Sequence, residues 1–141
     1  MSAYREARTA LIEYLKTQRH VVSPYFRALL YFEICISQCY QGYELLMTAS
    51  GKKFFERADG SKVDRLQKLY VDSKHMDRMI DGGKIPTEAT AAVWITNHGL
   101  ESSRAALSFE ELIEMLLDMS RFAEKLSKLE IASSAPSVDS D

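Results

Sequence analysis

The amino-acid sequence predicts an all-α fold, an up-and-down bundle of four main helices with a long irregular connector between the third and the fourth. Apolar residues recur at three- and four-residue spacing over four separate segments, and residues that favour helix ends flank them. The 141 residues are enough for one hydrophobic core. We therefore expect a single domain over residues 1–131 and a disordered polar tail over residues 132–141.

The first two helices differ in how much of their surface is apolar. The first is expected from Ser2 to about Arg19, with one apolar stripe. The second is expected to begin with Ser23 as its N-cap and Pro24 in the first helical position, and to end near Ala49. It is apolar nearly all round, which is typical of a helix in the middle of a bundle or against a partner chain.

The few polar side chains of this second helix are grouped. Glu33, Ser37 and Glu44 fall within a narrow arc of the helical wheel, and Gln41 lies close by. On an otherwise apolar helix such a polar seam is a candidate binding site for a small ligand or a protein partner, so Glu33, Ser37 and Glu44 are predicted binding residues.

The third helix is expected to begin after an Asp59-Gly60 turn. Ser61 with Asp64 three residues later resembles a capping box, and the helix is expected to run to about Ile80 before a "DGG" stop signal. Its apolar stripe comprises Leu66, Leu69, Met76 and Ile80.

The connector over residues 84–107 has no clear helical period, and its proline argues against an uninterrupted helix. Asn97-His98-Gly99 is typical of a turn. The preceding "AAVWI" is either a short extended piece or a strap that Trp94 holds across the bundle. Because long connectors in compact domains are often functional, Trp94, Asn97 and His98 are further candidate binding residues.

The fourth helix has the clearest start. Ser108 and Glu111 have capping-box spacing. Its apolar stripe comprises Leu112, Met115, Leu116, Met119, Phe122, Ala123 and Leu126. Ile113 and Leu117 lie off that stripe and could face a partner.

The net charge of −2 indicates no general attraction to nucleic acid or anionic membranes, but the charge is unevenly spread. Residues 52–84 carry nine Lys/Arg and six Asp/Glu, whereas residues 85–141 carry four and ten. Solvated helix faces explain most of this asymmetry, and a weak surface for an anionic ligand is the alternative.

Cys35 and Cys39 lie one helical turn apart, which is poor geometry for a disulfide. Buried free thiols in a reducing compartment are expected. The first residues include charges where a signal peptide needs an apolar run, and no apolar run is long enough to span a membrane. These features predict a cytoplasmic protein with no membrane partner.

The residues with the most chemical potential lie on the third helix. Lys68, Asp72 and His75 share one face, away from the apolar stripe, so this face is expected to meet water, a cleft or a partner. Charge pairing at i,i+4 spacing explains it most simply. Asp72-x-x-His75 also has the spacing of two metal ligands on a helix, but a second such motif is missing, so neither a metal nor a cofactor is expected.

Two segments carry a family resemblance. "RALLYFEICISQCYQGYELL" on one helix and "KLYVDSKHMD" on a later helix resemble HEPN-type helical domains. "VWITNHGL" to "LSFEELIEML" is also similar to small uncharacterised bacterial helical proteins. The HEPN resemblance implies a dimer linked to toxin–antitoxin or other defence systems, and active members carry an Arg, four to six residues and then a His.

His75 would match the family histidine. The arginine would have to lie at positions 68–70, where this sequence has Lys68, Leu69 and Tyr70. Arg65 is too far upstream, so the catalytic motif is not met.

Two functional hypotheses follow. In the first, the chain is a non-catalytic, homodimeric binding module, linked to defence or toxin–antitoxin systems, whose partner is a protein or a small ligand. In the second, it is a metal-independent ribonuclease in which His75 moves protons near a scissile phosphate of RNA, supported by Lys68 and Asp72.

Overall fold

The computed structural model describes residues 2–16, 23–75, 82–83 and 92–134. Within these ranges the chain forms four helices and one small antiparallel sheet, which confirms the predicted helical class and adds the sheet to it. None of these helices is long and apolar enough to cross a membrane. The elements in chain order are α1 (Ser2–Lys16), α2 (Ser23–Ser50), α3 (Lys62–Lys74), β1 (Trp94–Ile95), β2 (Gly99–Glu101), β3 (Ala106–Ser108) and α4 (Phe109–Ser134).

Helix α1 packs antiparallel to α2 through aromatic side chains. The rings of Tyr4 and Phe32 meet edge to face with centroids 6.1 Å apart, and those of Tyr14 and Tyr25 lie 5.5 Å apart. As the α1 residue moves forward along the chain, its α2 partner moves backward, which fixes the antiparallel direction. The last predicted residues of this helix, beyond Lys16, lie outside the described ranges.

Helices α2 and α4 run parallel. Phe32 stacks on Phe109 with ring centroids 5.3 Å apart, and a Cβ atom at Gly42 would lie only 2.9 Å from the sulfur of Met119. These two contacts are ten residues apart on both helices, so the helices run in the same direction. The absence of a side chain at Gly42 is what lets Met119 approach the α2 backbone.

The core is built around α2, as its apolar composition predicts. Its buried side chains meet apolar residues of α1, α3, the sheet and α4. The core cluster includes Ala7, Phe32, Cys35, Ile36, Cys39, Tyr40, Leu66, Leu69, Val93, Leu100, Leu107, Leu112 and Met115.

Helix α3 begins as predicted but ends earlier. The Ser61 hydroxyl accepts a hydrogen bond from the Asp64 amide at 3.2 Å. The helix ends at Lys74, earlier than the predicted end near Ile80, and residues 76–80 lie outside the described ranges. His75 leaves the helical conformation (φ −122°, ψ 39°) while its amide still donates to the Val71 carbonyl, which makes it the C-cap residue.

The connector contains the sheet, in the order β1-β2-β3. The extended alternative for "AAVWI" is therefore confirmed. A strap held by Trp94 is wrong, because Trp94 is 37% exposed whereas its neighbour Val93 is fully buried. Leu100 and Leu107, paired across β2 and β3, supply the remaining apolar contacts with the core.

The predicted turn at Asn97-His98 joins β1 to β2. The Thr96 amide donates to the Gly99 carbonyl at 2.8 Å, and the Thr96 hydroxyl accepts from the amides of His98 and Gly99. A Cβ atom at Gly99 would lie 2.0 Å from the Leu107 carbonyl oxygen, so this strand pair requires glycine.

Helix α4 has the predicted capping box. The Ser108 amide donates to the Glu111 carboxylate, and the Glu111 amide donates to the Ser108 hydroxyl, both at 3.0 Å. The helix extends to Ser134, and the rest of the predicted tail, residues 135–141, lies outside the described ranges. Since Gly42 meets Met119 and α2 ends eight residues later, the last two turns of α4 extend past the end of α2.

Candidate functional site

Asp72 is buried, contrary to the prediction for its helix face. Its side chain is 0% exposed. One carboxylate oxygen accepts from the Ser102 hydroxyl at 2.7 Å, and the other accepts from two nitrogens of Arg104 at 2.9 and 2.6 Å. The loop between β2 and β3 covers this face of α3. The spacing of residues along the helix shows that Asp72 lies away from the apolar stripe, but it does not show which other part of the chain covers Asp72.

Lys68 is paired at i,i+4 spacing, as the simplest interpretation of this face predicts. Its ammonium group donates to Asp64 at 2.9 Å. Asp64 is itself fully buried and also accepts from the amides of Ala58 and Gly60. Burial raises the pKa of Asp64, but the hydrogen bonds from Lys68 and the two amides outweigh it, so this pKa lies below its usual value.

The three residues predicted for catalysis are not assembled into one group. His75 is half-buried at the end of α3. Among the contacts of the described residues, Lys68 pairs with Asp64 and Asp72 pairs with Arg104, and neither pair includes His75. The arginine that contacts this face is Arg104, which binds Asp72. Because it lies 32 residues further along the chain, motif spacing could not identify it.

Arg65 ties three elements together. Its guanidinium group makes two hydrogen bonds to Glu111, at 2.9 and 2.7 Å, and also donates to the carbonyls of Gly60 and Ala106. The hydrogen bonds from Arg65 and the Ser108 amide lower the pKa of Glu111 to about 2. This arginine therefore has a structural function, fastening α3 to β3 and to the start of α4.

A cleft of about 320 Å³ lies beside α3, and its wall includes three cations, Arg57, Lys68 and Arg104. Asp64 also lines it, but that carboxylate is occupied by Lys68 and two amides. Asp72 is likewise occupied behind Arg104. A group entering the cleft therefore meets mainly hydrogen-bond donors and positive charge, which suits an anion such as a phosphate.

The polar seam of α2 is partly assembled. Glu33, Ser37 and Gln41 line a shallow pocket of about 340 Å³ together with residues of α3 that include Tyr70 and Lys74. Burial raises the pKa of Glu33. The Lys74 ammonium group donates to the Tyr70 hydroxyl at 2.7 Å.

The remaining predicted binding residues lie elsewhere. Burial raises the pKa of the Tyr40 phenol, and the charge and hydrogen bond of Glu44 raise it further. Asn97 and His98 are exposed at the tip of the turn between β1 and β2, and Trp94 is on the edge strand. The structure therefore does not bring Glu33, Ser37, Glu44, Trp94, Asn97 and His98 together in one place.

An apolar groove lies between α2 and α4, with a volume of about 600 Å³. We call it the α2–α4 groove. It is lined by Gln38, Cys39, Gly42, Leu45, Leu46, Ala49, Leu116, Met119, Ser120, Phe122, Ala123 and Leu126. No charged side chain among the residues that the structure describes lines it. At its rim Leu45 is 72% exposed and Leu126 is 46% exposed.

The same side of α2 carries further exposed apolar residues. Phe26, Leu30 and Ile34 follow one another at four-residue spacing, and Leu45 lies on the same side three turns beyond Ile34. We call these four residues the outer strip. Because α2 is apolar nearly all round, its contacts with α1, α3 and α4 leave this strip uncovered.

The two thiols are buried and free, as predicted. Burial raises the pKa of Cys35 to about 11 and that of Cys39 to about 12, so both are protonated at neutral pH and are poor nucleophiles. No group of three or more potential metal ligands occurs among the described residues.

Comparisons with known proteins found no matching family model, no matching curated protein and no matching solved structure.

Proposed function

We propose that this chain is a non-catalytic helical-bundle module that acts in the cytoplasm as a homodimer. The observation that carries the proposal is the set of exposed apolar residues in the outer strip and in the α2–α4 groove. Monomeric soluble proteins rarely expose large contiguous apolar patches, and those that do generally use them for binding.

A second copy of the chain fits this surface. The described side chains that line the groove are uncharged, so pairing through the groove buries no unpaired charge. Isologous pairing of two such surfaces completes the environment that an all-round apolar helix requires. The resemblance to HEPN-type domains, which are commonly dimers, supports the same state and suggests a setting in a defence or toxin–antitoxin system.

The test is the mass in solution together with one charge introduced into the surface. Light scattering at micromolar concentration should give about twice the chain mass of 16.0 kDa. Leu45→Glu should give a monomer with an unchanged helical circular dichroism spectrum, because a buried unpaired carboxylate opposes association. Leu15→Glu, at an exposed leucine of α1, is the matched control and should stay dimeric. A monomer mass for the unaltered chain would refute the proposal.

The cation-lined cleft favours a second candidate, a metal-independent ribonuclease. In this candidate Arg57, Lys68 and Arg104 hold an RNA phosphate. His75 does not line the cleft, but it follows the cleft residue Val71 by one helical turn and would be the group that moves protons. In this candidate Lys68 and Asp72 do not themselves transfer protons, because Lys68 is paired with Asp64 and Asp72 with Arg104. Asp72 would instead hold Arg104 in place.

Incubation of the protein with labelled RNA in the presence of EDTA tests this candidate. Cleavage that persists in EDTA, disappears in His75→Ala and remains in His98→Ala would establish it. Equal activity in the two variants, or no cleavage by any of the proteins, would refute the ribonuclease candidate and favour the non-catalytic binding module.

A further inference from the structure

Helix α4 carries a heptad pattern that continues beyond the core. Apolar residues alternate at spacings of three and four along one seam of the helix. They are Leu112, Met115, Met119, Phe122, Leu126 and Leu129. This is the seam by which helices pair in coiled coils, and it spans the whole helix rather than the part that the bundle covers.

Only the first half of this seam is used within the chain. Leu112 and Met115 are buried against the core, and Met119 approaches Gly42 of α2. Leu126 is 46% exposed at the rim of the α2–α4 groove, and Leu129 is 66% exposed where α4 extends past the end of α2. The second half of the seam, from Leu126 onwards, is therefore left largely uncovered by the described residues.

We infer that the second half of α4 pairs with the same segment of a second copy, in parallel and in register. This inference rests on the proposed homodimer and specifies its surface and direction. In a parallel pair Leu126 meets Leu126 of the other copy and Leu129 meets Leu129, so the exposed seam becomes an apolar core between the two helices.

The charges that flank the seam favour the parallel direction. Lys125 and Glu130 occupy the two positions that border the apolar core, g and e of the heptad. In a parallel pair a g residue faces the e residue five positions further along the other helix, so Lys125 faces Glu130 of the second copy. The two-fold symmetry produces this attraction twice.

An antiparallel pair has no such attraction. There, g positions face g positions and e positions face e positions. In the register that packs Leu126 against Phe122, the two Lys125 side chains face each other. In the register that packs Leu126 against Leu129, Lys125 faces Ala132 and Glu130 faces Ala123.

This segment is too short to pair alone. Two heptads form a marginal coiled coil in water, and stable pairing needs more buried apolar surface. Because α2 runs parallel to α4, the groove residue Leu45 lies next to the seam and adds to the interface. The exposed α2–α4 groove and the exposed seam are thus two parts of one surface.

Cysteine cross-linking tests the direction and register. Leu126→Cys and Ser133→Cys place single thiols at two equivalent seam positions, about 10 Å apart along the helix. In a parallel, in-register pair both variants form an intermolecular disulfide under mild oxidation. In an antiparallel pair a residue can meet its own copy near only one point, so the two variants cannot both cross-link. Lys128→Cys, on the outer side of the helix, is the control and should remain uncross-linked.

Charge exchange provides an independent measurement. Lys125→Glu and Glu130→Lys should each weaken the homodimer about ten-fold, because attraction becomes repulsion at two symmetric places. Mixing these two single variants should restore pairing as a heterodimer, since each mutated residue then faces an opposite charge. Lys128→Glu should leave the dissociation constant unchanged.

The outcomes separate this inference from the proposed function. Cross-linking at both seam positions with rescue by mixing supports the parallel pair. A dimer mass with cross-linking at one position or neither, or without rescue, overturns the parallel pair while the homodimer stands. A monomer mass for the unaltered chain overturns both.

Discussion

The carboxylate of Asp72 has no exposed surface and is held by Arg104 and Ser102 from the loop between β2 and β3. Taking two charges out of water is costly, and their attraction offsets that cost only while both are present. Arg104 keeps a quarter of its side chain exposed on the cleft side. A single residue therefore fixes the connector on α3 and lines the cation-rich cleft.

Arg104→Ala should lower the free energy of unfolding by about 3 kcal/mol, because it leaves a buried carboxylate whose one remaining side-chain partner among the described residues is the Ser102 hydroxyl. Urea denaturation monitored by circular dichroism measures this. The matched control is Arg121→Ala. Arg121 pairs with Asp118, and both side chains of that pair are exposed, so the substitution should change the free energy of unfolding by less than about 0.5 kcal/mol. Equal effects of the two substitutions would contradict the structural role of Arg104.

At the scale of elements, helices and strands differ in how clearly the sequence marks them. The start of α4 is predicted by two residues, Ser108 and Glu111, because their mutual hydrogen bonds need only local chain geometry. The strands have two or three residues each, which is too short for an alternating pattern. Their pairing depends instead on the close approach of Gly99 to the Leu107 carbonyl.

Gly99→Ala should destabilise the protein by about 3 kcal/mol, because its Cβ atom would overlap the backbone of the neighbouring strand, which cannot move aside as a side chain can. Thermal and urea unfolding measure the loss. Gly42→Ala serves for comparison and should cost less, since its Cβ atom meets the flexible side chain of Met119. A larger effect at Gly42 than at Gly99 would contradict this account.

At the scale of the whole molecule, contacts far apart in sequence hold the bundle to its connector. Arg65 and Glu111 are 46 residues apart, and Asp72 and Arg104 are 32 residues apart. Both pairs join α3 to later parts of the chain. Stability should consequently depend on the ionisation of Glu111.

Stability should fall as the pH is lowered from about 4.5 towards 2. The folded-state pKa of Glu111 is about 2 and its unfolded value is near 4.5, so its contribution is present above 4.5 and disappears as the folded carboxylate becomes protonated. The lowered pKa of Asp64 acts in the same direction. Urea midpoints across this pH range measure the effect. Glu111→Gln should be less stable at pH 7 and should have a flatter profile, whereas an unchanged profile would show that Glu111 does not contribute.

The sequence by itself determined the helices and their local chemistry. The helical class, the apolar character of α2, the caps at Ser61 and Ser108, the turn at Asn97-His98 and the free thiols follow from interactions between residues close in the chain. The end of α3 at Lys74 was missed because His75 closes the helix without the glycine that a stop signal normally has.

Only the tertiary structure decided which side chains meet. Lys68, Asp72 and His75 share a helix face, yet the β2–β3 loop buries Asp72 and supplies Arg104 as its partner. The exposed end of the seam on α4, at Leu129, likewise becomes evident only when α2 is seen to end before it. Periodicity places a side chain on a face, but burial and charge pairing depend on long-range packing, which no local pattern specifies.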